Sequence, residues 1–131
     1  MPGLTSSPLP LVATGFGVLA LTGCGGSDPV SAGVIEQRLV AVADAVDQCF
    51  TKTNDARKCT SGEALGSDDE ALHLGDGVGQ VDLSSAKPLR YQAVAKAGDD
   101  VEFAILVQPI GARKRVCKPS GQGGCPKDGV W

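Results

Sequence analysis

The hydrophobic positions of the chain fall into three regimes. From Leu9 to Gly23 apolar and small residues run almost unbroken, without one charged side chain. Further on, Ile35, Leu39, Val42, Val46, Cys49 and Phe50 recur at steps of three and four, while Glu36, Gln37, Arg38, Asp44, Asp47 and Gln48 lie mainly off that stripe. One apolar stripe on a 3.6-residue period predicts an amphipathic helix from Val30 or Val34 to Thr51. Asp28-Pro29 reads as its N-cap followed by proline in the first turn. The stretch 51–88 is polar and glycine-rich with no sustained period, and is expected to be loop with room for one short helix near Asp69 to Leu74.

From Leu89 the period becomes two. LRYQAVAK sets Leu89, Tyr91, Ala93 and Ala95 on one face, and VEFAILVQ sets Val101, Phe103, Ile105 and Val107 on one face. Ala97-Gly98-Asp99-Asp100 between them is a turn sequence, so the pair reads as an antiparallel hairpin. Pro109-Ile110-Gly111-Ala112 turns the chain again into RKRVCK, an edge strand whose lysines and arginines discourage pairing with another sheet. The last residues form a looped closure, with Trp131 placed to cover an edge of the core. The expected fold is α+β: one amphipathic helix packed on a small antiparallel meander, in two layers.

The 15 residues from Leu9 to Gly23 fall short of the ~20 that a membrane span needs. They suit an export signal better, although no Lys or Arg precedes them. Their end, Leu21-Thr22-Gly23-Cys24, resembles the lipobox of bacterial lipoproteins. That resemblance implies cleavage before Cys24 and a diacylglyceryl group on its sulfur, the thiolate being the nucleophile that forms the thioether. The chain then divides into a signal peptide (1–23), a lipidated cysteine with linker (24–31) and a folded domain (32–131). It would sit on the extracytoplasmic face of the cell membrane, or on the outer membrane of a two-membrane cell.

Composition bears on the same picture. Setting Cys24 aside leaves four of the five cysteines, Cys49, Cys59, Cys117 and Cys125. An even set in an oxidising compartment reads as two disulfides. Three connectivities are open, and pairing between sequence neighbours is favoured because short loops close most easily. Zinc would need C-x2-C pairs or nearby histidines, and a catalytic dithiol would need C-x-x-C; neither pattern is present. Past Cys24 the only aromatic residues are Phe50, Tyr91, Phe103 and Trp131, so the core must come from Val, Ile, Leu and Ala, and covalent staples are useful. The net charge of −3 gives no reason to expect nucleic acid. It is unevenly spread: Glu63 to Asp82 holds six acids and no base, and Arg113 to Lys127 five bases and no acid.

The helix, the cysteine-containing loop, Tyr91-Gln92-Ala93-Val94-Ala95, Val101-Glu102-Phe103-Ala104-Ile105 and the ending Cys117 through Trp131 resemble the globular head of type IV pilins and pseudopilins. The resemblance covers roughly 32–131 and implies a pilin-like head. The family's leader ends in glycine followed by phenylalanine, as at Gly15-Phe16, but its glutamate at the fifth mature position would fall on Ala20. A long apolar helix continuous with the stripe is also missing, interrupted by Cys24 to Pro29. A lipid-anchored head is therefore expected in place of a polymerising pilin.

Chemistry is sparse. His73 is the only histidine; Ser84 or Ser85 and Asp76 could complete a triad with it on paper, but no G-x-S-x-G elbow supports one. Asp68, Asp69, Glu70, Asp76 and Asp82 do not have the spacing of an EF-hand loop. Gly75-Asp76-Gly77-Val78-Gly79 follows no strand, which argues against phosphate cradling. The expected function is a non-enzymatic interaction module without cofactor or metal, held to the membrane through lipid on Cys24. Envelope or pilus-apparatus proteins are its expected partners. The alternative is an envelope lipoprotein binding a small ligand or calcium within 62–85; a hydrolase using His73 ranks last.

Overall fold

The computed structural model describes Gly3 and residues 29–98, 100–108 and 110–131. The Leu9–Gly23 run, Cys24 and Asp28 lie outside them, as do Asp99 and Pro109 within the two turn sequences.

The apolar stripe forms helix α1, Ala32–Thr53, and buries Ile35, Leu39, Val42, Ala43, Val46 and Cys49. Its boundaries differ from those expected. The N-cap is Ser31, whose hydroxyl accepts from the Val34 N–H at 3.4 Å, and Pro29 precedes the helix rather than opening its first turn. At the other end Asn54 takes a left-handed conformation (φ 56°) and donates its N–H to the Phe50 carbonyl. This arrangement satisfies a terminal carbonyl and stops the helix two residues beyond Thr51. Among the described residues no helix is long and apolar enough to cross a membrane.

Asp55 caps a short 3-10 turn, Ala56–Lys58, by accepting from the Arg57 N–H. The stretch near Asp69 to Leu74 is a series of turns, not a helix. Asp68 and Asp69 accept there from backbone N–H groups, Asp68 from Ala71 and Asp69 from Gly62, each at 2.7 Å. Short acidic side chains that bond to neighbouring backbone compete with helix formation in this way. A two-residue strand that the sequence did not announce, β1 (Val81–Asp82), follows.

Three longer strands complete the sheet: β2 (Tyr91–Lys96), β3 (Glu102–Val107) and β4 (Arg113–Lys118). The order is β1-β2-β3-β4, antiparallel throughout. Tyr91 pairs with Val107, Ala95 with Phe103, and Phe103 with Cys117. The alternation places Tyr91, Ala93, Ala95, Phe103, Ile105 and Val107 on the face under α1, all of them buried. Leu89 departs from the expected pattern: β2 begins two residues after it, and it is 61% exposed.

The core is the space between α1 and this face, with Leu65, Leu72, Leu74 and Ala86 of the long loop packed against its margin. Each large aliphatic side chain fully buried there is worth about 1.5–3 kcal/mol over leaving it in water. Two glycines allow the loops to close on the helix. Gly79 (φ 79°) lies where a Cβ would come within 2.9 Å of Arg38 and of Val30. Gly124 (φ 86°) packs where a Cβ would meet that of Ala32 at 2.5 Å.

Candidate functional site

All four cysteines of the domain pair with their sequence neighbours. Cys49, on the last turns of α1, joins Cys59 just beyond the 3-10 turn, with Cα atoms 5.9 Å apart. Cys117 on β4 joins Cys125 in the closing loop, with Cα atoms 5.7 Å apart. On the loop-entropy relation, closures this short each contribute about 2.5 kcal/mol. The second staple organises the last residues: the Cys117 N–H donates to the Gly129 carbonyl at 2.8 Å, beside the loop that the disulfide closes. Trp131 then lies edge-on to Phe103, with ring centroids 6.3 Å apart, and its Nε1–H donates to the Val116 carbonyl. The Arg115 guanidinium sits 5.0 Å from the Trp131 ring centroid, a cation–π contact. The expected role of Trp131 as a cover for the core edge is thus met.

The polar loop builds an open cleft of about 570 Å³, lined by Arg57, Ser61, Asp69, Asp76, Asp82 and Ser84 over a floor that includes Leu74, Val81 and Leu83. Its polar groups are largely engaged in holding the loop. Arg57 forks onto Asp55, with Nε at 3.0 Å and Nη2 at 2.8 Å. This hydrogen bond holds the Asp55 carboxyl below its ordinary range and raises the guanidinium's affinity for its proton. Asp69 accepts from Gly62, and Asp82 from the Ser84 N–H at 2.7 Å. The cleft can offer hydroxyls and carboxylate lone pairs to a small polar ligand.

The residues proposed for chemistry are not brought together. Asp76 and Ser84 line the cleft, but His73 does not; it is exposed, with φ 54°. No group of three or more His, Cys, Asp or Glu side chains converges among the described residues. Cys24, the expected lipid site, lies outside those residues.

A polar cluster on the helix–sheet seam did not emerge from the sequence pattern. Arg113 Nη2 donates to Asp44 at 2.7 Å and to Asp47 at 2.6 Å, and the Tyr91 hydroxyl donates to Asp47 at 2.9 Å and to the Ala43 carbonyl. The hydrogen bond to Asp47 holds the Arg113 proton more firmly than usual. Burial, reinforced by Asp47, pushes the Tyr91 phenol well above its ordinary 10.0. A signal was present in hindsight: strand parity puts Arg113 on the core side of β4, where a cation needs an acid, and Asp44 and Asp47 share one helix face at i, i+3. With this geometry in hand, no protein-family model, curated protein or solved structure matches the chain.

Proposed function

We propose that the chain is a lipid-anchored extracytoplasmic protein whose disulfide-stapled, pilin-like domain serves as a non-enzymatic interaction module. The observation that carries the reading is Leu21-Thr22-Gly23-Cys24, an apolar run ending at a cysteine only seven residues before Ser31 caps the helix. The two disulfides support it, because stable pairs belong to an oxidising compartment and they account for every other cysteine. The helix, the cysteine-containing loop, the β2–β3 hairpin and the disulfide-closed ending, on which the pilin resemblance is drawn, support this part of the reading. That resemblance makes envelope proteins of a pilus or secretion apparatus the partners to test first, a step that rests on fold analogy.

Two acyl chains give stable anchoring where one gives only marginal binding. Mass spectrometry of protein extracted from membranes tests the anchor. The expected N-terminus is Cys24 carrying a diacylglyceryl group, and an intact Met1 with unmodified Cys24 overturns the reading. Cross-linking in intact cells tests the partners, with envelope-apparatus components as the expected products. The open cleft favours a second reading, a lipoprotein that binds a small polar ligand or calcium there. A melting temperature that rises on adding calcium alone is its test for the ion.

A further inference from the structure

We propose that the sheet face turned away from the helix is the surface by which the domain lies against an anionic phospholipid bilayer, an inference that rests on the Cys24 anchor. Strand alternation puts Val94, Ala104, Leu106 and Val116 on this face, with Lys96, Glu102, Lys114, Lys118, Gln92 and Asp82 around them. The register arranges them in rows across the strands. Val94, Ala104 and Val116 form the apolar row; Lys96, Glu102 and Lys118 flank it on one side, and Gln92, Leu106 and Lys114 on the other. Among the described residues, α1 packs on the opposite face, and the loop leucines join that same core.

Charge selects the occupant. The strands of this face carry three lysines against two carboxylates, and one of these, Glu102, lies 3.8 Å from Lys118. At its borders Asp100 adjoins Lys96 and Lys118, and Lys87 and Arg90 adjoin Gln92 and Leu106. The chain as a whole has a net charge of −3, so the rest of the molecule is the more acidic part. An anionic surface attracts the sheet face and repels the remainder, which gives the domain a preferred orientation. Lysines around an apolar strip suit a bilayer surface in particular, since their alkyl stems lie along apolar groups while the ammonium groups reach phosphates.

The tether places this face within reach. The Val30 N–H donates to the Ala97 carbonyl at 2.8 Å, fixing the incoming chain beside Lys96 at the β2–β3 turn. Six residue steps separate Cys24 from Val30, a reach of at most roughly 20 Å. Six-residue strands are themselves roughly 20 Å long. A domain anchored at that end can therefore lay the whole sheet on the headgroups, and tethering makes individually weak contacts effective.

The test uses the full protein recovered from membranes, reconstituted into vesicles of phosphatidylcholine alone or mixed with phosphatidylglycerol, with amine labelling read lysine by lysine. In the mixed vesicles Lys96, Lys114 and Lys118 are expected to label several-fold more slowly than in phosphatidylcholine, while Lys52 and Lys58 are unchanged. Each Lys→Gln exchange at these three positions should lower the docked-to-lifted ratio about fivefold, from the attraction of one lysine to an anionic surface. Equal labelling in both vesicles, or slowing at Lys52 and Lys58 instead, overturns the proposal. Slowing that persists in detergent together with a dimer mass also overturns it, and assigns the face to a second copy of the chain. Flotation separates the two readings. Protein left in the aqueous layer with phosphatidylcholine vesicles overturns the anchor, whereas floating protein without the lysine pattern overturns the docking face alone.

Discussion

At the scale of single residues, the seam between helix and sheet is where polar chemistry carries structural weight. Tyr91 is the only tyrosine, so tyrosinate absorbance reports it without interference. Its phenol is raised above 10.0 by burial and by the neighbouring Asp47 carboxylate, so the folded state holds the proton longer than the unfolded state does. The contribution to stability is complete below the unfolded pKa and is lost as pH rises through the folded one. Titration of the folded protein should show no tyrosinate near pH 10, and stability should fall as pH climbs beyond that value. Tyr91→Phe should flatten that alkaline decline at a cost of about 1 kcal/mol at neutral pH, for the lost hydrogen bonds. A normal tyrosinate midpoint in the folded protein would contradict the buried assignment. Arg113 is 24% exposed and Asp47 28% exposed, so their pairing is only partly screened by solvent. Arg113→Met should cost more than the ~0–1 kcal/mol of a surface pair, because the Asp47 carboxylate would lose its cation in a partly desolvated seam. A denaturant midpoint within error of the parent would argue against that.

Among the elements, legibility followed period. The stripe Ile35, Leu39, Val42, Val46 is long enough for only one period to fit, and the alternation in YQAVAK and EFAILV admits only one parity. The helix, the hairpin and the charged edge strand were therefore readable. Element ends were less so, because they depend on single hydrogen bonds: Ser31 rather than Asp28 caps α1, and β2 begins only at Tyr91. The strand at Val81 was hidden because two residues carry no period; it exists because Val81 can pair with Ala95 once the hairpin has formed. Neighbour pairing of the cysteines was legible from loop length. Its consequence is specific to each element. Replacing Cys49 and Cys59 together by serine should cost about 2–3 kcal/mol. In a domain near 100 residues that lowers the melting temperature by roughly 10–20 °C. Replacing Cys117 and Cys125 should act locally as well, because their loop sets the path to Gly129 and Trp131. The only tryptophan would then leave Phe103, and its emission should shift to the red under conditions where far-ultraviolet dichroism remains native. Unchanged emission would mean that the contacts of Trp131 with Phe103, Val116 and Arg115 hold the chain's last residues without the disulfide.

For the whole molecule, the features that point to a place in the cell and those that build the fold occupy different parts of the chain. The proposed address, the signal-like run and Cys24, is read from length, apolarity and the position of one thiol. The cleft was not legible, because carboxylates that cap turns look the same in sequence as carboxylates that gather round an ion; only the hydrogen bonds of Asp55, Asp68, Asp69 and Asp82 tell them apart. The separation has a measurable consequence. Among the described residues the fully buried core begins at Ile35, and both disulfides join cysteines at or beyond Cys49. Folding is therefore expected to be independent of what happens at position 24, whereas the proposed anchoring depends on it. On the proposed anchor, Cys24→Ser removes the nucleophile, so no acyl mass should be carried and the bond after Gly23 should stay uncut. The domain should nonetheless keep both disulfides, the Trp131 emission of the parent and a melting temperature within a few degrees of it, since surface changes away from packed groups stay within about 0.5 kcal/mol. A large loss of stability would show that residues before Pro29 take part in the core, and that anchoring and folding are one problem in this chain rather than two.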